Sequence, residues 1–268
     1  MSTLTWIIIF SLVGGVLSVM AAAVFLLLPA LWRTRLIPHL VSFAIGALLS
    51  AALLALLPHA IGAGVTDVHN ISLTVLMGLL GFFVLEKLVL WRHCHHSDCE
   101  VHAPEDIHEH HHHHHHQPAS VPAANLVLIG DAVHNFVDGV LIAAAFMMDI
   151  ELGIVTALAV AAHEIPQEVG DFAILLQSGF SRAKALAFNI LSSLTTVVGG
   201  VLAYYSLGPV QDFVPYILAV AASSFIYVAV ADLIPGLHQK VDLKTSVQQI
   251  SLILAGVLVI YFAHSTLH

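Results

Sequence analysis

Residues 122–178 read PAANLVLIGDAVHNFVDGVLIAAAFMMDIELGIVTALAVAAHEIPQEVGDFAILLQS, two apolar runs joined by a few residues around Asp149. Each run can cross about 30 Å of hydrocarbon as an α-helix. Each carries a polar segment near its middle, residues 134–139 in the first run and 163–171 in the second. Ionisable side chains at that depth cost at least about 2.5 kcal/mol each unless they face water, a partner or an ion. The stretch therefore predicts an antiparallel helical hairpin in a membrane, with a site at its centre.

The composition of the whole chain is typical of a membrane protein. Hydrophobic residues make up 59% of the 268 residues and charged residues 9%, and the mean hydropathy is +0.93. These values predict an all-α, polytopic protein embedded in the lipid bilayer, with one transmembrane domain over residues 1–268. Nucleic-acid binding is not expected, because the eight Lys and Arg form no basic stripe. The first apolar run lacks a basic n-region and a cleavage site, so we expect a retained helix there.

Hydropathy and the positions of Pro, Gly and charged residues predict eight transmembrane helices. The expected spans are 5–28, 38–61, 71–91, 122–147, 151–178, 184–206, 213–236 and 247–266. All the basic residues then lie on one side of the membrane: Arg33, Arg35, Lys87, Arg92, Arg182, Lys184, Lys240 and Lys244. By the positive-inside rule that side is the cytoplasm, and both termini are extracytoplasmic. A seven-span alternative, with a re-entrant fifth stretch, would separate the last two lysines from the other basic residues.

The long loop over residues 93–120 is cytoplasmic on this topology and holds most of the 20 histidines. Its low complexity and its histidine content predict a disordered segment that captures metal loosely. An inserted purification tag and a merely solvated tract are the alternatives. Its two cysteines lack the C-x-x-C spacing of a closed zinc site, so a structural finger is not expected. The candidate ligands are His93, Cys94, His95, His96, Cys99, His110, His111, His112, His113, His114, His115 and His116.

The two polar segments of the hairpin supply the candidate intramembrane metal ligands. Imidazole nitrogens and carboxylate oxygens are the donors that zinc and other borderline divalent metals bind. The first segment has a His and an Asp four residues apart, on one helix face, with an Asn beside them. The second segment has two pairs at the same spacing of four residues, His163 with Gln167 and Glu164 with Glu168. The candidates are His134, Asn135, Asp138, His163, Glu164, Gln167 and Glu168.

Four further polar residues, His59, Asp131, Asp171 and Asp232, are candidates for an entry or exit pathway. Asp131 and Asp171 extend the two polar segments toward the predicted cytoplasmic side. His59 is equally compatible with a satisfied histidine between helices. Pro166 is expected to disturb the preceding turn of its helix and to free a carbonyl near residue 162. Polar contacts that merely hold helices together are the alternative for the central group, but so many ionisable groups are costly to desolvate without a cation.

The paired motifs HNFVDG and HEIPQEVGD resemble the ZIP family (Zrt-, Irt-like proteins) of divalent metal transporters. The resemblance is to the branch whose fifth helix reads HExPHExGD, and it covers nearly the whole chain. It implies a mobile helical bundle packed against a more static one, with metal moved into the cytoplasm by alternating access. It implies zinc as the substrate, with Cd²⁺, Fe²⁺ or Mn²⁺ carried by some members. The implied ligands of a binuclear site are His134, Asn135, Asp138, His163, Glu164 and position 167.

Two departures from the family pattern concern the ligands. Gln167 stands where that branch has a histidine, which replaces a strong nitrogen donor by a weaker carbonyl oxygen. Other ZIP proteins have a carboxylate in the sixth helix at the site. Here the corresponding stretch runs from Asn189 to Ser193 and has none, so a second ion would be less well neutralised.

Other functions are compatible with parts of this pattern. His163-Glu164 begins like the H-E-x-x-H motif of metalloproteases, which makes an intramembrane zinc protease the main alternative. Gln167 in place of the second His, and a helix expected to break at Pro166, weigh against it, so we do not expect an enzyme. A metal exporter of the cation-diffusion type would have fewer spans, and a metal-sensing receptor would bind without flux. The short loops favour a bacterial inner membrane, and a homodimer is compatible with the sequence.

Overall fold

A computed structural model describes residues 1–65, 67–94, 121–238 and 242–267. The described residues form helices and no strands. The α-helices, numbered in chain order, are α1 Thr3–Leu12, α2 Ser18–Phe25, α3 Ala30–Ser50, α4 Leu57–Gly62, α5 Val68–Cys94, α6 Val121–Met148, α7 Ile150–Gln177, α8 Arg182–Leu207, α9 Val214–Tyr227, α10 Ile234–Leu237 and α11 Leu243–Leu267. The predicted all-α class is therefore confirmed.

Six helical stretches of the described chain are long and apolar enough to cross a membrane. One of them, Arg182–Leu237, spans 56 residues and contains both α8 and α9. Helix α7 has 28 residues but is not among the six, since it carries the polar segment 163–171. These stretches indicate a multi-pass membrane protein. The count of eight spans and the outer position of both termini remain predictions.

The contacts among the described helices divide most of them into two groups, the first and the second bundle. In the first bundle α6 contacts α7 and α8, and α1 and α2 pack against α7 and α8. In the second bundle α3 packs along α11, and α5 packs along α9. Helix α7 also contacts α3 and α11, and α6 contacts α9, so the hairpin α6–α7 lies where the two bundles meet.

Glycines allow the closest helix contacts within each bundle. A Cβ atom on Gly139 of α6 or on Gly199 of α8 would overlap the backbone of the facing helix. In the second bundle, a Cβ atom on Gly46 of α3 or on Gly256 of α11 would likewise overlap the backbone of the facing helix. Small residues drive close packing of this kind in membranes, where helices gain little hydrophobic energy from leaving lipid. The close contact of α6 with α8 fixes the position of the first polar segment.

The helix break expected at Pro166 is wrong. Helix α7 continues from Ile150 to Gln177 with the proline inside it. Neighbouring helices can satisfy backbone groups that a proline frees in a membrane. Two π-helical turns, Ala51–Leu56 and Val228–Leu233, instead lie just before Pro58 and Pro235. Proline has no backbone N–H to donate, and a π-helical turn before it accommodates this by shifting the local hydrogen-bond register.

The histidine-rich loop falls almost entirely outside the described residues. His93 and Cys94 end α5, whereas the candidate ligands from His95 to His116 are not described. Lys240, used for the topology, is also outside the described part. Metal capture by the loop therefore stays a prediction.

Candidate metal centre

The α6–α7 turn brings the two polar segments to the same depth. Asp149 separates the two helices, and its side chain accepts a hydrogen bond of 2.7 Å from the backbone N–H of Glu151, which caps α7. At 1.5 Å per residue, His134 and His163 both lie about 20 Å from this turn along their helices. The hairpin therefore places the two histidines opposite each other.

Two histidines and two carboxylates converge between α6 and α7. The Nε2 atoms of His134 and His163 are 3.2 Å apart. His134 Nε2 lies 3.3 Å from Glu164 Oε1, and His163 Nε2 lies 3.4 Å from Asp138 Oδ2. A tetrahedral zinc ion with ligands about 2.1 Å away holds them about 3.4 Å from one another. The four groups thus have the spacing that a single divalent ion requires.

Burial makes this group unfavourable without a cation. Asp138 and His163 are at most 2% exposed, and Glu164 is fully buried. Apart from the two imidazoles, Oδ2 of Asp138 and both carboxylate oxygens of Glu164 have no hydrogen-bond donor among the described residues. A buried carboxylate without donors is costly, and a bound metal ion compensates for the missing donors. The residues therefore fit a divalent ion as cargo.

A second group of carboxylates adjoins the first. Oxygens of Asp131, Glu164 and Glu168 lie within 4.8 Å of one another, and Glu164 belongs to both groups. Glu168 is fully buried, and neither of its carboxylate oxygens has a hydrogen-bond partner among the described residues. The side chain of Asn189 on α8 is also fully buried, and its amide has no partner in the described part of the chain. Glu164 therefore links the two groups.

Hydrogen bonds orient the ligands of both groups. His163 Nδ1 lies 3.1 Å from the carbonyl oxygen of Ala159, one turn earlier in α7. An N–H on Nδ1 would donate to that carbonyl and leave the Nε2 lone pair for a metal. Ser192 of α8 donates to Asp131 Oδ2 at 2.5 Å. The serine holds Asp131 beside the central carboxylates.

Asn135 is hydrogen-bonded to polar side chains of α6 and α8. Its Nδ2 donates to Asp131 Oδ1 at 2.9 Å, and its Oδ1 accepts from the hydroxyl of Thr196 at 2.8 Å. Asn135 therefore takes part in a network that orients Asp131, and its role as a metal ligand stays a prediction. The roles of Ser192 and Thr196 could not be read from the sequence, because they depend on how α8 packs against α6.

The remaining sequence candidates lie around or away from the two groups. Gln167 is half-buried one turn after His163, and Asp171 is half-buried further along α7. Asp232 is exposed in a π-helical turn. His59 is half-buried at the start of α4, and its ring faces that of His264 near the end of α11. The contact with His264 was missed in the sequence, since 205 positions separate the two residues.

Comparison with known proteins decides the family. A family model described as "ZIP Zinc transporter" matches residues 2–264. The chain belongs to the ZIP zinc transporter family. The resemblance inferred from HNFVDG and HEIPQEVGD is therefore confirmed, as is the expectation of a zinc-transport membrane protein.

Relatives in this family include animal zinc transporters. Mouse zinc transporter ZIP13 is 32% identical over 252 residues, which cover 85% of this chain and 69% of that protein. Human zinc transporter ZIP4 is 32% identical over 245 residues, covering 73% of this chain but only 38% of that protein. The zinc transporter foi of Drosophila melanogaster is 42% identical over 110 residues, covering 41% of this chain and 15% of that protein. These relatives support metal transport, with Zn²⁺ as the transported ion.

Proposed function

We propose that this ZIP-family chain carries Zn²⁺ into the cytoplasm through the centre between α6 and α7. The observation that carries the proposal is the convergence of His134, Asp138, His163 and Glu164 at ligand spacing, with buried oxygens of Asp138 and Glu164 that have no donor among the described residues apart from the two imidazoles. Ionisable side chains at mid-membrane depth are costly unless they face water, an ion or a partner of opposite charge. A transported ion compensates the buried side chains while it is bound, and it is then released. The inward direction rests on the family resemblance.

We further propose that the centre is binuclear. Glu164 is common to the two groups, so its two oxygens can bridge one ion bound with the histidines and another bound with Asp131 and Glu168. The second group has only carboxylates and fits an ion that is held less tightly. Because Asp131 precedes His134 on the predicted cytoplasmic side, the second group lies toward the exit.

The two bundles provide a physical basis for alternating access. The proposed ligands belong to α6 and α7 of the first bundle, whereas the ring of Phe225 on α9, in the second bundle, lies 6.1 Å from that of His163. A shift of the first bundle against the second would carry the ligands past this apolar neighbour. Eight spans with both termini outside would place the centre near the bilayer midplane. A bacterial inner membrane and a homodimer remain predictions.

Zinc uptake by purified protein in proteoliposomes tests the proposal. We expect His163→Ala and Glu164→Ala to abolish uptake while the protein stays monodisperse in detergent. His69→Ala and Asp212→Asn remove the same kinds of side chain from exposed positions and should keep uptake near the unmodified level. A panel of Zn²⁺, Cd²⁺, Fe²⁺ and Mn²⁺ in the same assay defines the transported metals. Undiminished zinc uptake in either ligand variant would overturn the assignment.

A further inference from the structure

A second pair of histidines lies far from the central groups. His59 at the start of α4 and His264 near the end of α11 have ring centroids 5.4 Å apart, with their planes at 67°. Both face a cavity of about 540 Å³, whose wall also includes Met148 and Asp149 of the α6–α7 turn. From Asp138 to Met148 the α6 axis rises about 15 Å, so the cavity lies well outside the central site.

The ring separation of this outer pair equals that of the central pair. The rings of His134 and His163 are also 5.4 Å apart and edge-to-face, at 82°. Two imidazoles bound to one tetrahedral zinc, with nitrogens about 2.1 Å from the metal, have centroids about 5 Å apart. The ring separation of the outer pair is therefore compatible with a shared ion.

The backbone also orients His59 as it orients His163. His59 Nδ1 lies 2.8 Å from the carbonyl oxygen of Ala55, and His163 Nδ1 lies 3.1 Å from that of Ala159. In each case the acceptor is four residues earlier in the same stretch of helical backbone. An Nδ1–H donated to a carbonyl fixes the tautomer in which Nε2 carries the lone pair, an arrangement typical of metal-binding histidines.

Asp149 adds a carboxylate to the cavity wall. Its side chain caps α7 through a bond from the Glu151 N–H, which holds the carboxylate at the turn between the two ligand-bearing helices. A fixed negative charge at the rim favours entry of a cation. Nitrogen donors beside a carboxylate are the chemistry of Zn²⁺ and similar divalent metals, whereas Mg²⁺ and Ca²⁺ prefer oxygen alone.

We propose that His59 and His264 form a second zinc-binding site in this outer cavity, which loads ions onto the route toward the α6–α7 centre. Binding at this site does not depend on the proposed transport activity. Its role in loading rests on that proposed function. On the predicted topology the ends of α4, α6 and α11 are extracytoplasmic, so the cavity is the first ligand-bearing space that an incoming ion meets.

Carbethoxylation by diethylpyrocarbonate, read for each histidine by peptide mass spectrometry, tests binding on the full chain. This readout separates the outer pair from the many histidines of residues 93–120. We expect Zn²⁺ to protect His59 and His264 together, whereas exposed His69 on α5 keeps its metal-free labelling. In His264→Gln the zinc concentration that protects His59 should rise about tenfold or more, because one ligand is lost. His59→Gln gives the reciprocal measurement on His264.

The central substitution Glu164→Ala distinguishes the two sites. Protection of His59 and His264 should persist in this variant even though uptake is lost. Labelling of His59 that is the same with and without zinc would overturn the outer site. Protection of His59 that is unchanged in His264→Gln would overturn the shared ligation.

Uptake kinetics test the loading role separately. We expect His59→Gln and His264→Gln to raise the zinc concentration for half-maximal uptake by about tenfold while the maximal rate changes little, with His69→Gln as the matched control. If these variants lose zinc protection but keep the zinc concentration for half-maximal uptake, the outer site binds zinc without loading it. That result would overturn the loading role.

Discussion

The Nε2 atoms of His134 on α6 and His163 on α7 lie 3.2 Å apart, although 29 positions separate the two residues. The short turn at Asp149 produces this contact, because both histidines lie about 20 Å from it on antiparallel helices. Asp138 and Glu164 then approach the same point from the two helices, within 3.7 Å of both imidazoles. All four side chains belong to the hairpin, two on α6 and two on α7.

Glu168→Gln tests whether the second group exists to hold a cation. Both oxygens of the buried Glu168 carboxylate have no hydrogen-bond partner among the described residues, so the side chain is costly to ionise without a cation. Glutamine has a similar shape and is never charged, so we expect the metal-free variant to be at least as stable as the unmodified protein. We also expect a smaller increase in stability when zinc is added. Thermal unfolding in detergent, with chelator and with Zn²⁺, measures both changes. A metal-free variant less stable than the unmodified protein would contradict this account.

Two adjacent serines on α8 allow a test of whether a hydrogen bond to Asp131 matters for transport apart from helix packing. Ser192 donates to Asp131 Oδ2, whereas Ser193 donates to the backbone carbonyl of Ile190 on its own helix. Hydrogen bonds to charged groups are worth about 1.5–3 kcal/mol. We therefore expect Ser192→Ala to slow zinc uptake by about tenfold and Ser193→Ala to leave it near normal. Equal uptake by the two variants in proteoliposomes would show that Ser192 does not position Asp131 for transport.

Gln167→His tests the residue at which this chain departs from the related ZIP branch. A histidine nitrogen binds zinc more strongly than an amide oxygen does. We expect tighter zinc binding, by about tenfold, and slower release from the centre. Gln177→His, at the exposed end of the same helix, is the matched control. Competition between zinc and manganese in the uptake assay gives the change in preference. An unaltered zinc affinity would place residue 167 outside the centre.

Substitution of two glycines of α6 measures how much the close contact between α6 and α8 contributes to stability. A methyl group at Gly139 would overlap the backbone of α8, whereas a methyl group at Gly130 meets none of the described residues within 4 Å. We expect Gly139→Ala to destabilise the protein by about 1–3 kcal/mol through overpacking. Gly130→Ala should be neutral or slightly stabilising, because alanine favours helix. Thermal unfolding of the two variants in the same detergent provides the comparison, and similar unfolding temperatures would refute the packing argument.

The sequence by itself determined the helical class, the family and the hairpin that carries the centre. Apolar runs of about 20 residues form helices in lipid because a helix pairs the backbone groups within the run and is long enough to cross the bilayer. Ionisable residues in the middle of those runs predict a site because their burial needs compensation. His134 and Asp138, one turn apart, and His163 beside Glu164 could therefore be identified as candidates from spacing alone.

Only the tertiary structure decided how the neighbouring helices complete the site. Contacts of Ser192 and Thr196 with Asp131 and Asn135 depend on the position of α8, which glycine contacts set and local spacing does not encode. Continuity of α7 through Pro166 is likewise visible only in the folded structure. The approach of His59 to His264 joins residues that are distant along the chain. Periodicity reports which face of a helix a residue occupies, whereas packing determines what that face meets.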